Sequence, residues 1–196
     1  MYICIDGVDG AGKTTIIEHL YNKHPNKENI ILTKEPGSPF SEICINIRKL
    51  ILNYPHNHDY TLGYLFAADA YEHLKSVVAH FLHEGKNVIS DRCMLSDFAY
   101  RPNIPFKMRE ENIRIFKNLY PIVILIDAEP DKCFNRMIGR GKLNTYEEDH
   151  VIERLPNIRD NYYAGLEFLK SQGVETHIIE NNDKIEDAVK KIFNYL

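Results

Sequence analysis

Gly7-Val8-Asp9-Gly10-Ala11-Gly12-Lys13-Thr14 places three glycines, a lysine and a hydroxyl at the spacing GxxxxGK[ST]. The chemistry this suits is the holding of phosphate groups. Glycines let the backbone turn until successive N–H groups converge on one anion, and the first turn of a following helix adds unpaired donors and a positive dipole end. In such a loop Lys13 reaches the outer phosphates, and Thr14 supplies a hard oxygen for Mg2+. The residues expected to bind a nucleoside triphosphate are therefore Gly7, Asp9, Gly10, Ala11, Gly12, Lys13, Thr14 and Thr15.

Three further stretches could do chemistry beside it. Asp91-Arg92 joins an acid to a base at the end of the apolar run Asn87-Val88-Ile89-Ser90, which suits a metal-side carboxylate next to a phosphate clamp. A plain surface ion pair is the alternative. Arg136, Gly139, Arg140, Gly141 and Lys142 concentrate three cations and two glycines in seven residues, as in a mobile cationic flap or a solvated loop. Lys34-Glu35-Pro36-Gly37-Ser38-Pro39 is rich in turn formers and follows the apolar run Ile30 to Thr33. In open α/β sheets that end of a strand is the ligand side.

The elements that must position these residues follow from periodicity. Tyr2 to Ile5, Ile30 to Thr33, Asn87 to Ser90, Ile122 to Ile126 and Val174 to Ile179 are short apolar runs of strand type, and the fourth is continuously apolar, as a strand buried on both faces is. Helical spacing recurs between them. It is carried by Ile16, Ile17, Leu20 and Tyr21; by Ile43, Ile47, Leu50 and Ile51; by a long stretch from Leu62 to Leu82; by a segment from about Asp131; by Val151 to Leu169, with Pro156 as a kink or restart; and by Ile185 to Leu196. Five strands alternating with helices imply an α/β fold with a doubly wound, five-stranded parallel sheet and right-handed crossovers.

The 196 residues suit one core and hardly two, so one domain over 1–196 is expected. A formal net charge of -4 argues against a nucleic-acid or anionic-membrane partner, for which clustered Lys and Arg are needed. Cys4, Cys44, Cys93 and Cys133 form no CxxC pair, so neither a zinc site nor a disulfide framework is indicated. With no signal-peptide pattern and no run long enough to span a bilayer, the expected location is the cytoplasm of a cell, or of the host of something replicating inside one.

Taken in order, these motifs resemble the thymidylate kinase family of P-loop nucleoside monophosphate kinases over nearly the whole chain. Ile5 to Thr15 is similar to its phosphate loop, Thr33-Lys34-Glu35-Pro36-Gly37 to its TREPG segment, and Leu65-Phe66-Ala67-Ala68-Asp69 to its base-binding helix. Ser90-Asp91-Arg92 with Ser96, Ala99 and Tyr100 resembles its DRYxxSxxAYQ signature, Arg136 to Glu147 its arginine-bearing lid, and Arg159-Asp160-Asn161-Tyr162 the helix after it.

The resemblance implies transfer of the ATP γ-phosphoryl group to the 5'-phosphate of a pyrimidine deoxynucleotide, with ATP and Mg2+ as cofactors, small-molecule nucleotides as partners and a homodimer packed through such helices as the long one. It implies catalytic roles for Lys13, Asp91, Arg92, Arg140 and Arg136, metal contacts from Thr14 and Asp91, and a lid at about 136–148. The implied substrate contacts are Asp9 to the sugar 3'-hydroxyl, Phe66 stacked on the base, Tyr100 crowding the 2' position and Arg92 on the acceptor phosphate. Lys34, Pro36, Arg48, Ala70, Ser96, Arg101 and Tyr162 complete that site. Members with glycine at the position of Gly10 place the catalytic arginine in the lid, in agreement with Arg140.

The departures from the pattern concern the base. The family usually has an arginine where this chain has Ala70, a glutamine where it has Arg101, a small residue where it has Asp97 and an arginine where it has Lys34. Asn144 and Thr145 also replace charged lid residues. Arginine donates and cannot accept, so Arg101 suits carbonyl acceptors on a base. The readings this leaves are dTMP with altered tolerance at C5, such as dUMP or a 5-modified dUMP of a virus with unusual DNA; dGMP or a broad range of deoxynucleoside monophosphates; and ordinary dTMP recognition. Outside this class, a GTPase would need an NKxD-type guanine reader, which the chain lacks. A deoxynucleoside kinase would need a carboxylate base and has less use for Lys34 and Arg92. A non-catalytic nucleotide-binding protein would have no need of Lys13, Thr14, Asp91 and Arg140 together.

Overall fold

Short β-branched, apolar runs pair into a covered sheet, and five strands do so here, the three central ones buried and the two at the edges partly exposed. The structure is a computed structural model that describes residues 1–54, 59–141 and 151–195. Strands β1 (Tyr2–Asp6), β2 (Ile30–Lys34), β3 (Asn87–Asp91), β4 (Pro121–Asp127) and β5 (Glu175–Glu180) form one parallel sheet in the order β2-β3-β1-β4-β5. All five strands end on a charged residue, namely Asp6, Lys34, Asp91, Asp127 and Glu180. In register, Asp91 lies beside both Lys34 and Ile5, so these charges line one edge of the sheet. Because the chain leaves β1 toward β2 and later returns to its other side, the crevice opens beside β1.

Helices α1 (Lys13–Lys23), α2 (Glu42–Asn53), α3 (Asp59–Glu72), α4 (Ala79–His83), α5 (Met94–Tyr100), α6 (Glu110–Asn118), α7 (Pro130–Gly139), α8 (Val151–Ser171) and α9 (Ile185–Phe193) fill the connections. The stretch expected as one helix from Leu62 to Leu82 is regular only to Glu72, and it widens into a π-helical segment over His73–Val78 before α4. Its apolar residues Leu62, Ala70, Leu74, Val77 and Val78 are spent on the chain's own core. The large side chains it leaves exposed are Tyr60, Tyr64 and Tyr71. Pro156 lies within α8, which neither breaks nor restarts there. As the sixth residue of a helix of 21, it removes one i→i−4 hydrogen bond while the rest of the ladder runs on.

Helices α5 and α6 have no counterpart in the periodicity reading. Both are short, and in α5 the positions that face the site are polar. Lys142, Asn144, Thr145, Glu147 and the rest of the expected lid to 148 lie outside the described residues. Among the described residues no helix is long and apolar enough to cross a membrane.

Candidate active site

The loop between β1 and α1 is built by backbone approach. Gly10 has φ 83°, and a Cβ there would press into the Cys133 carbonyl of α7. Gly12 has φ 96° and would meet the Asn181 side-chain amide 2.5 Å away. No larger residue fits either place. Lys13 is buried and donates from Nζ to the Gly7 carbonyl at 3.0 Å and the Val8 carbonyl at 2.9 Å, arching over its own loop. Burial and the neighbouring Arg92 lower its pKa, while Asp9, Asp91 and Asp6 pull it back up.

Beneath the loop lies a residue that the motif reading passed over. Asp6 is fully buried at the end of β1. Its Oδ1 accepts from Gly7 N at 2.8 Å, Ser96 Oγ at 2.7 Å and Tyr162 Oη at 2.9 Å, and its Oδ2 accepts from Ser96 N at 2.9 Å and Cys93 N at 3.1 Å. Arg92 enters the same network. Its Nη1 donates to Ser96 Oγ at 2.9 Å, Tyr162 Oη at 2.8 Å and the Gly7 carbonyl at 3.1 Å, while Nη2 is paired with Asp9. Tyr100 Oη donates to the other Asp9 oxygen at 2.7 Å.

Asp91 and Arg92 are therefore not partners of one another. Arg92 has φ 72°, a left-handed conformation that costs a non-glycine residue about 1 kcal/mol and that sends successive side chains in different directions. Its N–H on the Ile5 carbonyl at 2.9 Å and its carbonyl on Ser90 Oγ at 2.6 Å hold that turn. Burial alone would raise the Asp9 pKa, but Arg92 and Lys13, with the Tyr100 hydrogen bond and Arg140, outweigh it and hold the carboxylate at about 2. Arg92 shifts upward despite its own burial, chiefly through Asp9. Ser96 and Tyr162, expected among the substrate contacts, lie under the site and brace it.

Asp91 turns to the loop instead, accepting from Thr14 Oγ1 at 2.9 Å. Arg136, at the start of the expected lid, is anchored beside the glycine loop. Its Nη2 donates to the Asn181 carbonyl at 2.8 Å and its Nη1 to the Gly10 carbonyl at 3.4 Å, so it walls a cleft of about 400 Å³ that also takes in Gly12, Thr15, Asn181 and Lys184. Arg140 is exposed at the end of α7.

On the other side of Arg92 the residues expected around a base are arranged differently from the expectation. One face of Phe66 is covered by the Arg101 guanidinium, whose Cζ stands 3.4 Å from the ring centroid. Ala70, one turn further along α3, is 5% exposed and belongs to the core. Lys34 is exposed, and Arg48 donates to the Pro36 carbonyl at 2.8 Å, bracing that loop. Behind the loop His73 Nδ1 lies 3.2 Å from Glu35 Oε2 and His73 Nε2 lies 3.0 Å from Thr33 Oγ1. Gly37 N donates to Asp69 Oδ1 at 3.0 Å.

The family model described as thymidylate kinase matches residues 5–192. The chain belongs to the thymidylate kinase family. It is thus a phosphotransferase of the nucleoside monophosphate kinase kind. The thymidylate kinase of Aliarcobacter butzleri is 32% identical over 198 residues, covering 100% of this chain and 98% of that one. That of Mycoplasmoides gallisepticum is 32% identical over 173 residues, covering 85% and 81%. The crystal structure of thymidylate kinase from Ehrlichia chaffeensis, at 22% identity, superposes with a TM-score of 0.73 over 100% of this chain and 97% of that one, which shows a common fold.

Asp127 and Asn181 were also missed as site supports. Arg159 grips Asp127 with two hydrogen bonds of 2.7 Å, and Tyr163 adds a third at 2.8 Å. Asn181 bonds the Asp127 carbonyl through its N–H at 2.8 Å and the Ala11 carbonyl through Nδ2 at 2.7 Å, tying the end of β4 to the phosphate loop. A charged residue at each strand end was the available signal for Asp6 and Asp127. Asn181 offered none.

Proposed function

We propose that this protein transfers the γ-phosphoryl group of ATP to the 5'-phosphate of dTMP, or of a close pyrimidine relative such as dUMP or a 5-modified dUMP, as one kinase domain with a lid at about 136–148. The observation that carries this reading is that two phosphate stations share one sheet edge. The glycine loop with Lys13 and Thr14 is one, and Arg92, tied to that loop through Asp9, is the other. The triphosphate occupies the loop, and the cleft walled by Arg136 takes its base.

Arg92 spends Nη1 and one Nη2 hydrogen on the protein, which leaves its remaining N–H groups for the acceptor phosphate. Asp9, held ionised, accepts from the 3'-hydroxyl, and Tyr100 beside it closes the 2' side. An acceptor phosphate is already anionic, so no general base is needed, and alignment with charge neutralisation by Lys13, Arg92 and Arg140 does the work. Thr14 and Asp91 offer a hydroxyl and a carboxylate oxygen side by side, the hard donors that Mg2+ takes. Among the described residues no three His, Cys, Asp or Glu side chains converge, so these two would hold the ion together with phosphate and water oxygens. The ion screens charge between the phosphates.

ADP release measured over a panel of deoxynucleosides and their monophosphates tests the reading. Turnover with dTMP and none with thymidine is the expected result; turnover with thymidine alone would overturn it. Arg92→Ala should raise KM for the acceptor far more than KM for ATP. We also propose a homodimer, supported by the exposed Tyr60, Tyr64 and Tyr71 along α3 and by Ile43 and Leu50 on α2. A monomeric mass by light scattering at micromolar concentration would refute it.

A further inference from the structure

The helix that brings Ser96 and Tyr100 to the site also carries Asp97, which faces away from Asp6 and Arg92. Asp97 Oδ1 accepts from Arg101 Nε at 2.7 Å, and its Oδ2 lies 2.9 Å from Arg109 Nε. Arg109 closes the arrangement, donating from Nη2 to the Arg101 carbonyl at 2.9 Å while its own guanidinium lies 4.7 Å over the Phe98 ring. Arg101 is thus gripped at its side chain by Asp97 and at its backbone by Arg109. A centroid separation of 3.4 Å is the thickness of one stacked layer, so the guanidinium sits over the middle of Phe66 rather than at its rim.

The cluster contains two guanidinium groups and one carboxylate. Arg109, with a side chain 6% exposed, lies deeper than Arg101 at 17%, so the more accessible guanidinium of the two is Arg101. Ala70, on the same face of α3 one turn from Phe66, is too small to compete for the place.

We propose that Asp97 and Arg109 are positioning residues that fix Arg101 on Phe66 as a specificity-determining group, so that an acceptor base meets a donor-only cation there and not a bare aromatic ring. Nε is committed to Asp97, and among the described residues the two Nη groups have no hydrogen-bond partner. A base with a carbonyl at its 4-position satisfies them. One with an amino group there, as in cytosine, sets donor against donor. This rests on the acceptor reading given above and adds which residues enforce the choice.

The test compares wild type with Asp97→Asn and Asp97→Glu, using steady-state kinetics on dTMP and dCMP and calorimetric binding of the two nucleotides, which needs no turnover. Freeing the guanidinium is expected to lower the dTMP to dCMP ratio of kcat/KM about tenfold in Asp97→Asn, the loss of roughly one charge-assisted contact. The change should lie in the acceptor KM, with KM for ATP unmoved and part of the ratio restored in Asp97→Glu. An unaltered ratio, or an equal loss on both acceptors, would overturn the proposal. Should Asp97→Asn not fold, Arg101→Gln, which removes the cation and keeps Asp97, must lower the same ratio. A wild type that binds neither nucleotide would instead overturn the acceptor reading, and this inference with it.

Discussion

The two ends of the proposed acceptor site are both organised by an arginine, but not in the same way. Arg92, at the phosphate end, is held by Asp9, Ser96, Tyr162 and the Gly7 carbonyl, and every one of those partners except the carbonyl is itself held by another side chain. The Arg101 side chain, at the base end, has one ion pair and one stacking contact among the described residues. Networks with many shared partners fail as a unit, whereas sparse ones change piecemeal. The phosphate end is thus fixed by the same bonds that fix the fold, and the base end can vary without disturbing the core.

The largest effect should follow from breaking the dense end at its centre. Asp6→Ala removes the acceptor of seven hydrogen bonds at a fully buried position, one of them from Arg92 Nη1 at 3.4 Å, and so leaves Arg92 short of a counter-charge. A loss of about 3–5 kcal/mol in urea unfolding is expected, together with loss of turnover. A loss below about 1 kcal/mol would show that the network is not cooperative.

Lys13→Ala separates chemistry from stability at the same end. Among the described residues Lys13 donates hydrogen bonds to loop carbonyls alone, and burial already disfavours it as a cation, so the fold should change by less than about 1 kcal/mol. Turnover should fall at least about a hundredfold, the usual cost of removing one transition-state donor. Phosphoryl transfer at the wild-type rate would remove the mechanism.

At the sparse end, Ala70→Arg should cost about 1–3 kcal/mol, because it overfills a core position and sets a second guanidinium on the face of α3 that carries Phe66 and Arg101. Combined with Arg101→Gln the cost should be smaller than the sum of the two single changes, since one cation then replaces the other. Strict additivity in thermal or urea unfolding would mean that positions 70 and 101 do not share the pocket.

The same contrast governs what could be read from sequence. The phosphate loop is contiguous, with its geometry dictated by glycine at fixed intervals, so Gly7 to Thr14 was legible together with the strand and helix that flank it. The five strands were legible because unbroken apolar runs have few alternatives. Asp6 was not, since a lone acid after an apolar run looks the same whether it caps a strand or collects seven donors. The base end is assembled from α3, α5 and the turn before α6, and no local pattern links Phe66, Asp97, Arg101 and Arg109. The departures at Asp97 and Arg101 could be seen singly; that they bind one another could not. Phe66 was accordingly expected to face a base directly, and its coverage by Arg101 is known only from the fold.

The smallest effect concerns Asp69, which lies between Phe66 and Ala70 and holds the substrate loop through Gly37 N. Its Oδ2 is buried with no partner among the described residues. Burial, and then the nearby Glu35 carboxylate, raise its pKa to about 7, against smaller opposing contributions from the Gly37 N–H and His73. The folded protein therefore keeps a proton that the unfolded chain gives up near the ordinary carboxylate value of 3.8. Stability from this group is complete below that value and declines as pH rises, until the folded state also ionises near 7. Across pH 6 to 8 the folded group gives up its proton while the unfolded one has none to lose, so the decline over that window is about 1.4 kcal/mol, one unit's worth. In Asp69→Asn the amide oxygen still accepts from Gly37 N and nothing titrates. Urea midpoints of wild type and variant, measured in parallel from pH 6 to 8, should draw apart by that amount in favour of the variant at the alkaline end. Parallel curves would mean that Asp69 ionises as an ordinary carboxylate.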